Sequence, residues 1–485
     1  MVSEPAAPVA AALPAPGVAA ARYLHRSSKG CLALSVALVV SMSAQAQSLN
    51  GRLSGLVANR VEGDRSGACV QAARVELNAT TQVAMAAHCA RFGERSVPLG
   101  ARFEIGSISK VFVGLLAAEM AARGELRLDE PIDALLPPEA AGAPAAVRAL
   151  TFTDLLTHTS GLPPLPLRFK PANGANPYAD LTAAVVYGSL ADVTLPPVTP
   201  PATARRYAYS NWAFLLLSDL LARRAGKPYD ALLRERVLQP LGMNDTLVAS
   251  NDGLVPGHRA SGDVTPAWDV PIAFAGAGGL RSTLDDLLRL SRAVLGELPV
   301  EATLPPSLQR ALVDSLQPLR PGPGAVMLGL AWHRAPLQER VLVYHSGMTG
   351  GFAASLVLDP AQRRAGIVLA DAAQSFEDLA IRLVAPAAPL LLAARPAALD
   401  LPLAQTAAGR YQLGPQFLLT LSVDDGKLWA QATGQGRFEL RQDARGDFYA
   451  TVADILVRFD RTADGKVGGL TLFQGGGARR APRIE

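Results

Sequence analysis

The sequence predicts an α+β fold, in which an antiparallel sheet is flanked by helices with an all-α region between its strands, followed by a small antiparallel β-barrel domain. Three observations carry this. Strand-and-turn patterning from about Gly51 to Ala101 gives way to mainly helical periodicity from Ser107 to roughly Ser291. Strands return as the apolar runs Val341–Tyr344, Ala354–Leu358 and Gly366–Ala370, separated by Gly-rich and Asp-Pro turns, so one sheet can join strands far apart in sequence. After a Pro-, Ala- and Leu-rich stretch at 385–402, eight short alternating runs follow: Gly409–Leu413, Phe417–Ser422, Lys427–Thr433, Arg437–Leu440, Asp447–Val452, Ile455–Asp460, Val467–Phe473 and Arg480–Ile484. So many strands in so short a segment suggest closure into a barrel, which leaves no exposed edge.

At 485 residues the chain is long enough for two or three domains, and 49% hydrophobic residues can fill sizeable cores. The expected division is a signal region at 1–47, a hydrolytic domain at 48–397 and a barrel at 398–485. The net charge of +4 is small, and Lys and Arg are scattered, so neither a nucleic-acid footprint nor a polybasic membrane patch is visible. Arg22, Arg26 and Lys29 precede an apolar run from Cys31 to about Ser43 that ends in Ala44-Gln45-Ala46, the layout of an export signal. That run falls short of the ~20 residues that span a bilayer. The exported chain, periplasmic or secreted, is expected to begin near Gln47 and to keep no membrane span.

Removal of the signal leaves Cys69 and Cys89. Residues 69–77 and 83–90 read as a hairpin turning at Asn78–Gln82, and pairing Leu77 with Gln82 puts the two cysteines almost opposite each other, a disulfide candidate in an exported protein. The six histidines show no metal-ligand spacing with cysteines or carboxylates, so neither metal nor cofactor is expected. The stretch Pro163–Arg206 carries nine prolines and little periodicity, and reads as a loop at the rim of a site.

The chemistry begins at Ser107-Ile108-Ser109-Lys110, where a strand end and a tight turn meet an apolar helix. Residues three apart share a helix face, so the Lys110 amine can reach the Ser107 oxygen and take its proton. Alone this pattern also describes a helix N-cap followed by a solvated lysine. Two further motifs change its weight: Tyr209-Ser210-Asn211 before the apolar helix Trp212–Ala225, and His345-Ser346-Gly347 at the end of the strand Val341–Tyr344. Separately, Tyr209 reads as a packed aromatic, Asn211 as an N-cap and His345 as a satisfied strand-end histidine.

Together and in this order they resemble the penicillin-recognising serine hydrolases: Ser-x-x-Lys, Tyr-x-Asn, and a basic residue two before a glycine on an edge strand. The stretches 155–162 (LLTHTSGL), 240–243 (PLGM) and 278–283 (GGLRST) resemble the same family. The chain is thus similar to the class C β-lactamase and DD-peptidase family over about residues 55–390, and its barrel to the lipocalin-like domain of some peptidase and esterase relatives. The resemblance implies an acyl-enzyme on Ser107, a Lys110–Tyr209 pair receiving its proton with Tyr209 as a phenolate-like base, Asn211 holding the amine or the substrate amide, and an oxyanion hole from the Ser107 and Met348 N–H groups. Gly347 would let substrate approach the strand, and His158 reads as structural. In class C β-lactamases lysine usually stands where this chain has His345. Histidine is charged only part of the time near neutral pH, which turns the expectation from a dedicated β-lactamase to a peptidase or esterase. The expected substrates are D-amino-acid peptides of cell-wall type, with β-lactams and esters as alternatives and a silent penicillin-binding sensor as the non-enzymatic one. The barrel has no His or Cys and no expected catalytic role.

Overall fold

A computed structural model describes residues 49–484 apart from 65, 91–94, 199–204, 298–303, 393–396, 415–416, 445, 451–454, 463 and 475–476. The expected signal region therefore lies outside the described residues.

The main sheet has eight antiparallel strands: β1 (Cys69–Leu77), β2 (Thr81–Cys89), β3 (Arg320–Pro321), β4 (Met327–Leu328), β5 (His333–Leu337), β6 (Arg340–Met348), β7 (Ala353–Asp359) and β8 (Arg364–Ala370), in spatial order β2-β1-β8-β7-β6-β5-β4-β3. Strands from the two ends of the domain thus meet at β1–β8. The hairpin register is one residue tighter than expected: Leu77 faces Thr81, Cys69 lies directly opposite Cys89, and their sulfurs are bonded. Strand β6 also departs from the sequence reading. It runs through the third motif to Met348 and is not an edge strand, because β5 covers its first half, from Arg340 to Tyr344. Only His345–Met348, paired with β7 alone, keep one free edge. The short strands β3–β5 were not visible as apolar runs.

Residues 50–61, read from sequence as part of a strand region, are helical. Leu53, Val57 and Val61 recur every four residues and are all buried, so the helical stripe is in the sequence. Arg60 of this helix pairs with Asp378 at 2.7 Å and lies over the Phe376 ring. That ion pair ties it to a C-terminal helix (Glu377–Val384), which packs on β7 and β8. Gly366 in β8 allows this: a Cβ there would stand 2.4 Å from the Ala380 carbonyl oxygen. The other face of the sheet packs on the main core, where the helix α1 (Ser109–Ala122) is buried at every position from Ser109 to Met120. A helix apolar on all sides belongs at the centre of a large core. Beside it lie α2 (Asn211–Ala225) and α3 (Leu284–Val294); we call the C-terminal helix α4. The segment from Ser107 to Ser291 is helical as expected, with three two- or three-residue strands (Phe103–Glu104, Leu247–Val248, Leu280–Ser282) forming a small sheet beside it.

Beyond residue 408 eight strands from Gly409 to Pro482 pair in sequential order, and a Tyr411–Arg483 bridge brings the last strand back to the first, giving a nearly closed barrel. Its interior is filled by its own side chains, among them Tyr411, Phe448, Leu428 and Leu470. No helix among the described residues is long and apolar enough to cross a membrane.

The Cys69–Cys89 bond closes a loop between residues 20 apart at the edge of the main sheet. Cross-links of this length typically contribute about 2–4 kcal/mol by restricting the unfolded chain. A chain beginning at Gln47 is expected to show no reactive thiol when titrated denatured and unreduced, and its Cys69→Ser/Cys89→Ser variant to lose about 2–4 kcal/mol in urea unfolding; two free thiols in the unreduced chain would remove the bond.

Candidate active site

Ser107 sits in a single 3-10 turn (Gly106–Ile108) between the short strand Phe103–Glu104 and α1. The segment 277–282 holds that turn from one side. Ile105 N–H donates to the Leu280 carbonyl at 3.1 Å, Leu280 N–H to Ser109 Oγ at 3.1 Å, and Glu104 pairs across to Arg281. Strand β6 holds it from the other side, at backbone contact. Gly106 has φ of +49°, where only glycine is unstrained, and a Cβ on it would lie 2.6 Å from the Met348 nitrogen. A Cβ on Gly347 would lie 2.0 Å from the Ile105 oxygen and 2.7 Å from the Ser107 nitrogen. Two missing side chains therefore set the Met348 amide against the turn that carries Ser107, the layout needed for a pair of oxyanion donors.

Lys110 is fully buried, and its Nζ has three oxygens in reach: Ser107 Oγ at 2.9 Å, Asn211 Oδ1 at 2.8 Å and the Ala277 carbonyl at 2.5 Å. Burial holds its pKa well below the ordinary lysine value. A neutral amine can donate to Asn211 and Ala277 and turn its lone pair to the Ser107 hydroxyl. An ammonium can donate to all three. The same pocket thus suits the amine before and after it takes a proton, which is what a base requires. Asn211 is free for this task because the N-cap of α2 is its neighbour: Ser210 Oγ accepts from Ala213 N–H at 3.1 Å.

Tyr209 is half-buried beside Ser107, and the Lys110 Nζ stands 5.1 Å from its ring centroid. Burial raises its pKa above the ordinary tyrosine value, so the resting group is a neutral phenol. Desolvation disfavours the phenolate and the ammonium alike, which runs against the expected ammonium-stabilised phenolate. His158 shows why this segment is placed as it is. It holds φ of +54°, stacks on the Tyr209 ring at 4.3 Å, takes the Ser210 N–H on Nδ1 at 3.0 Å, and its carbonyl accepts from Ala208 N–H.

His345 is 2% exposed and does not line the cavity around Ser107. Its Nδ1–H donates to the Ser346 carbonyl at 2.8 Å, leaving Nε2 buried without a hydrogen-bond partner. Burial, with His333 and Lys110 nearby, holds the ring well below the ordinary histidine pKa, so it is neutral at physiological pH. The sequence reading allowed it part-time charge; the packing removes it. His333, at 5.2 Å from His345, is pushed down to about 4 by burial and was missed because β5 gave no strand signal.

The cavity over Ser107 holds 90 Å³ and is lined by Asn211, Tyr178, Trp268, Val270 and Met348 among others. Tyr178 comes from the Pro-rich segment, which thus borders the site as its composition suggested. Two hydrogen bonds of 2.8 Å between Asn176 and Asp269 dock that segment on the Trp268 loop. The Trp268 loop is anchored in turn by a buried ion pair absent from the sequence reading. Arg281 meets Glu104 at 3.1 Å, Trp268 N–H donates to the same carboxylate at 2.8 Å, and Arg281 also reaches the Trp268 carbonyl. A pair this deep specifies a geometry more than it adds stability. A larger cavity of 670 Å³ lies at the far end of α1, around Ala118, Ala122 and Arg310, and carries none of these groups.

Residues 61–388 match the family described as Beta-lactamase. The chain is 28% identical over 266 residues to the D-alanyl-D-alanine-carboxypeptidase/endopeptidase AmpH of Escherichia coli K12, covering 53% of this chain and 67% of that one. It is 29% identical over 236 residues to a Beta-lactamase of the same organism, covering 47% of this chain and 56% of that one. Among solved structures, a Beta-Lactamase/D-Alanine Carboxypeptidase from Pseudomonas syringae superimposes with a TM-score of 0.56 at 21% identity, over 71% of this chain and all of that one. A structure titled SurE superimposes at 0.54 and 21% identity over 91% of this chain, a span that reaches into the barrel. On a match over two thirds of its length, the chain belongs to the Beta-lactamase family and is a serine hydrolase of the β-lactamase/DD-peptidase type.

Proposed function

We propose that the protein is an exported hydrolase that forms an acyl-enzyme on Ser107 and acts on D-amino-acid peptides of cell-wall type, with residues 48–397 as the hydrolytic unit and 398–485 as an appended barrel. The observation that carries the reading is the buried Lys110 Nζ 2.9 Å from Ser107 Oγ, held there by Asn211 Oδ1 and the Ala277 carbonyl, with burial lowering its pKa. Lys110 takes the hydroxyl proton as Ser107 attacks the carbonyl. The N–H groups of Ser107 and Met348 receive the developing oxyanion, each worth about 2.7–4 kcal/mol in the transition state. Tyr209, a neutral phenol beside Ser107, hands a proton to the leaving amine or alcohol, regains it from Lys110, and orients the water that releases the acyl group.

A His345 held below its ordinary pKa and set away from the cavity, together with a cavity lining that includes no Lys, Arg or His, gives a β-lactam carboxylate no fixed cation there, which favours peptide or ester substrates over a dedicated β-lactamase. The AmpH relative, named as a D-alanyl-D-alanine carboxypeptidase/endopeptidase, supports the peptide among these.

Intact-mass analysis of the exported protein after exposure to a penicillin is expected to show one adduct on a chain starting near Gln47 and none on Ser107→Ala. Absence of an adduct together with no Ser107-dependent turnover of a D-Ala-D-Ala peptide, a cephalosporin and an aryl ester would sink the proposal. Because only the neutral amine accepts a proton, kcat/KM rises with pH as Lys110 deprotonates and levels off below the ordinary lysine range, since its pKa is lowered. Lys110→Arg, permanently charged, should lose about 10²–10⁴-fold in kcat/KM and this acid limb; an unchanged limb would assign it to another group. Gly347→Ala drives a Cβ into the Ile105 carbonyl, so kcat should fall by about 10²-fold or more while the variant stays folded by circular dichroism; wild-type turnover would show that the backbone contact is not needed.

A further inference from the structure

Strand β6 presents two faces near the site. Gly347 faces Ser107, and its alternate Ser346, with the cross-strand partner Ser355, faces α4. Between that second face and the start of α4 lies an open cavity of 190 Å³ lined by Ser346, Met348, Ser355, Ser375 and Glu377. Met348 also lines the cavity over Ser107, so the two spaces meet at the residue whose amide completes the oxyanion pair. The polar groups here are one carboxyl and three hydroxyls. Ser346 Oγ is buried and makes no well-formed hydrogen bond, although the Glu377 carboxyl is its neighbour. Asp378, the next residue along, is paired with Arg60, whereas among the described residues no Lys or Arg is paired with Glu377. Burial, with Asp378 adding to it, pushes the Glu377 carboxyl above the ordinary range, the mark of an acid that lacks a cation.

A substrate carboxylate placed here would meet a like charge. A primary ammonium brings three N–H donors and the missing positive charge to a site made of acceptors. We propose that this cavity is a subsite for a primary ammonium group on the part of the substrate that extends past Met348, with Glu377 as its specificity residue. The substrate class is then a D-amino-acid peptide, or related ester, that carries a free amine. This rests on the acyl-enzyme reading of Ser107 but is tested apart from it.

The experiment uses two matched substrate series, one varied in the acyl part and one in the leaving part, each ending in an ammonium, an amide or a carboxylate. In at least one series the wild-type kcat/KM for the ammonium member should exceed that for the carboxylate member about ten-fold or more, through KM. Glu377→Gln should bring the two near parity, and Glu377→Lys should invert them. A flat or carboxylate-favouring wild type in both series, or a ratio untouched by Glu377→Gln, overturns the subsite while Ser107-dependent turnover of the amide members leaves the acyl-enzyme standing. Calorimetric titration with n-butylammonium and butyramide reads the same site without turnover. The cation should bind about ten-fold tighter to the wild type and lose that margin in Glu377→Gln, and equal binding of the two probes also overturns it.

Discussion

The arrangement depends on one backbone contact, the packing of the β6 chain at Gly347 and Met348 directly onto the turn at Ile105–Ser107. With a Cβ on either Gly106 or Gly347 the two segments would overlap. Everything chemical follows from that proximity. The Met348 amide faces the nucleophile turn, and the last four residues of β6, left without a partner on the β5 side, give a substrate backbone a free edge beside the scissile bond. The turn itself cannot move away, because Leu280 grips it through both its N–H and its carbonyl and Ala277 grips Lys110. Helix α1 is buried from Ser109 to Met120, so the core fixes its start.

The second constraint is electrostatic. The reactive centre brings together a lysine, a tyrosine and three histidines, and among the described residues no carboxylate is in contact with Lys110, so desolvation is the largest influence on each of them. Lys110 is lowered, Tyr209 raised, and His333 and His345 lowered, all toward neutral. In the proposed mechanism, proton transfer from serine to lysine creates charge as the tetrahedral adduct forms, where the oxyanion and the new ammonium stabilise each other. A permanent cation at position 345 would have lowered the Tyr209 pKa and opposed protonation of Lys110. Histidine at that position removes the cation and fits a mechanism in which the lysine does the work.

Much of this was legible. Ser107, Lys110, Asn211 and the Gly347 backbone come together because their spacing encodes local geometry: a helical turn for Ser107 and Lys110, a capped helix start for Asn211, a strand for Gly347; His345 of the third motif stands apart from the cavity. The cysteine hairpin, the site-bordering loop and the barrel followed from turn chemistry and alternation. The misses have physical causes. The 50–61 helix was hidden by Gly51 and Gly55, although Leu53, Val57 and Val61 kept its stripe. Strands β3–β5 are short and are held by successive pairing, β5 on β6, β4 on β5 and β3 on β4, rather than by their own apolar content. Charge states depend on burial, which spacing does not report, so the pKa directions of Tyr209 and His345 could not be read from the motifs. The Glu104–Arg281 pair joins residues 177 apart, and no local pattern announces it.

Strand β6 also shows how one element can separate reaction from recognition. Period-two alternation sends Gly347 to the nucleophile and Ser346 to the opposite layer, so the groups that make and break bonds and the groups that read a distant part of the substrate share a backbone without sharing an environment. The first face is kept neutral by burial among aromatic and aliphatic neighbours. The second carries the Glu377 carboxyl at the start of a helix, a place where the helix dipole tolerates negative charge. A charge placed on the first face would shift Lys110 and Tyr209 directly. Glu377 stands on the far side of β6 and is not among the groups that shift Lys110, Tyr209 or His345, so it can select a substrate that passes Met348 while leaving the proton balance at Ser107 undisturbed.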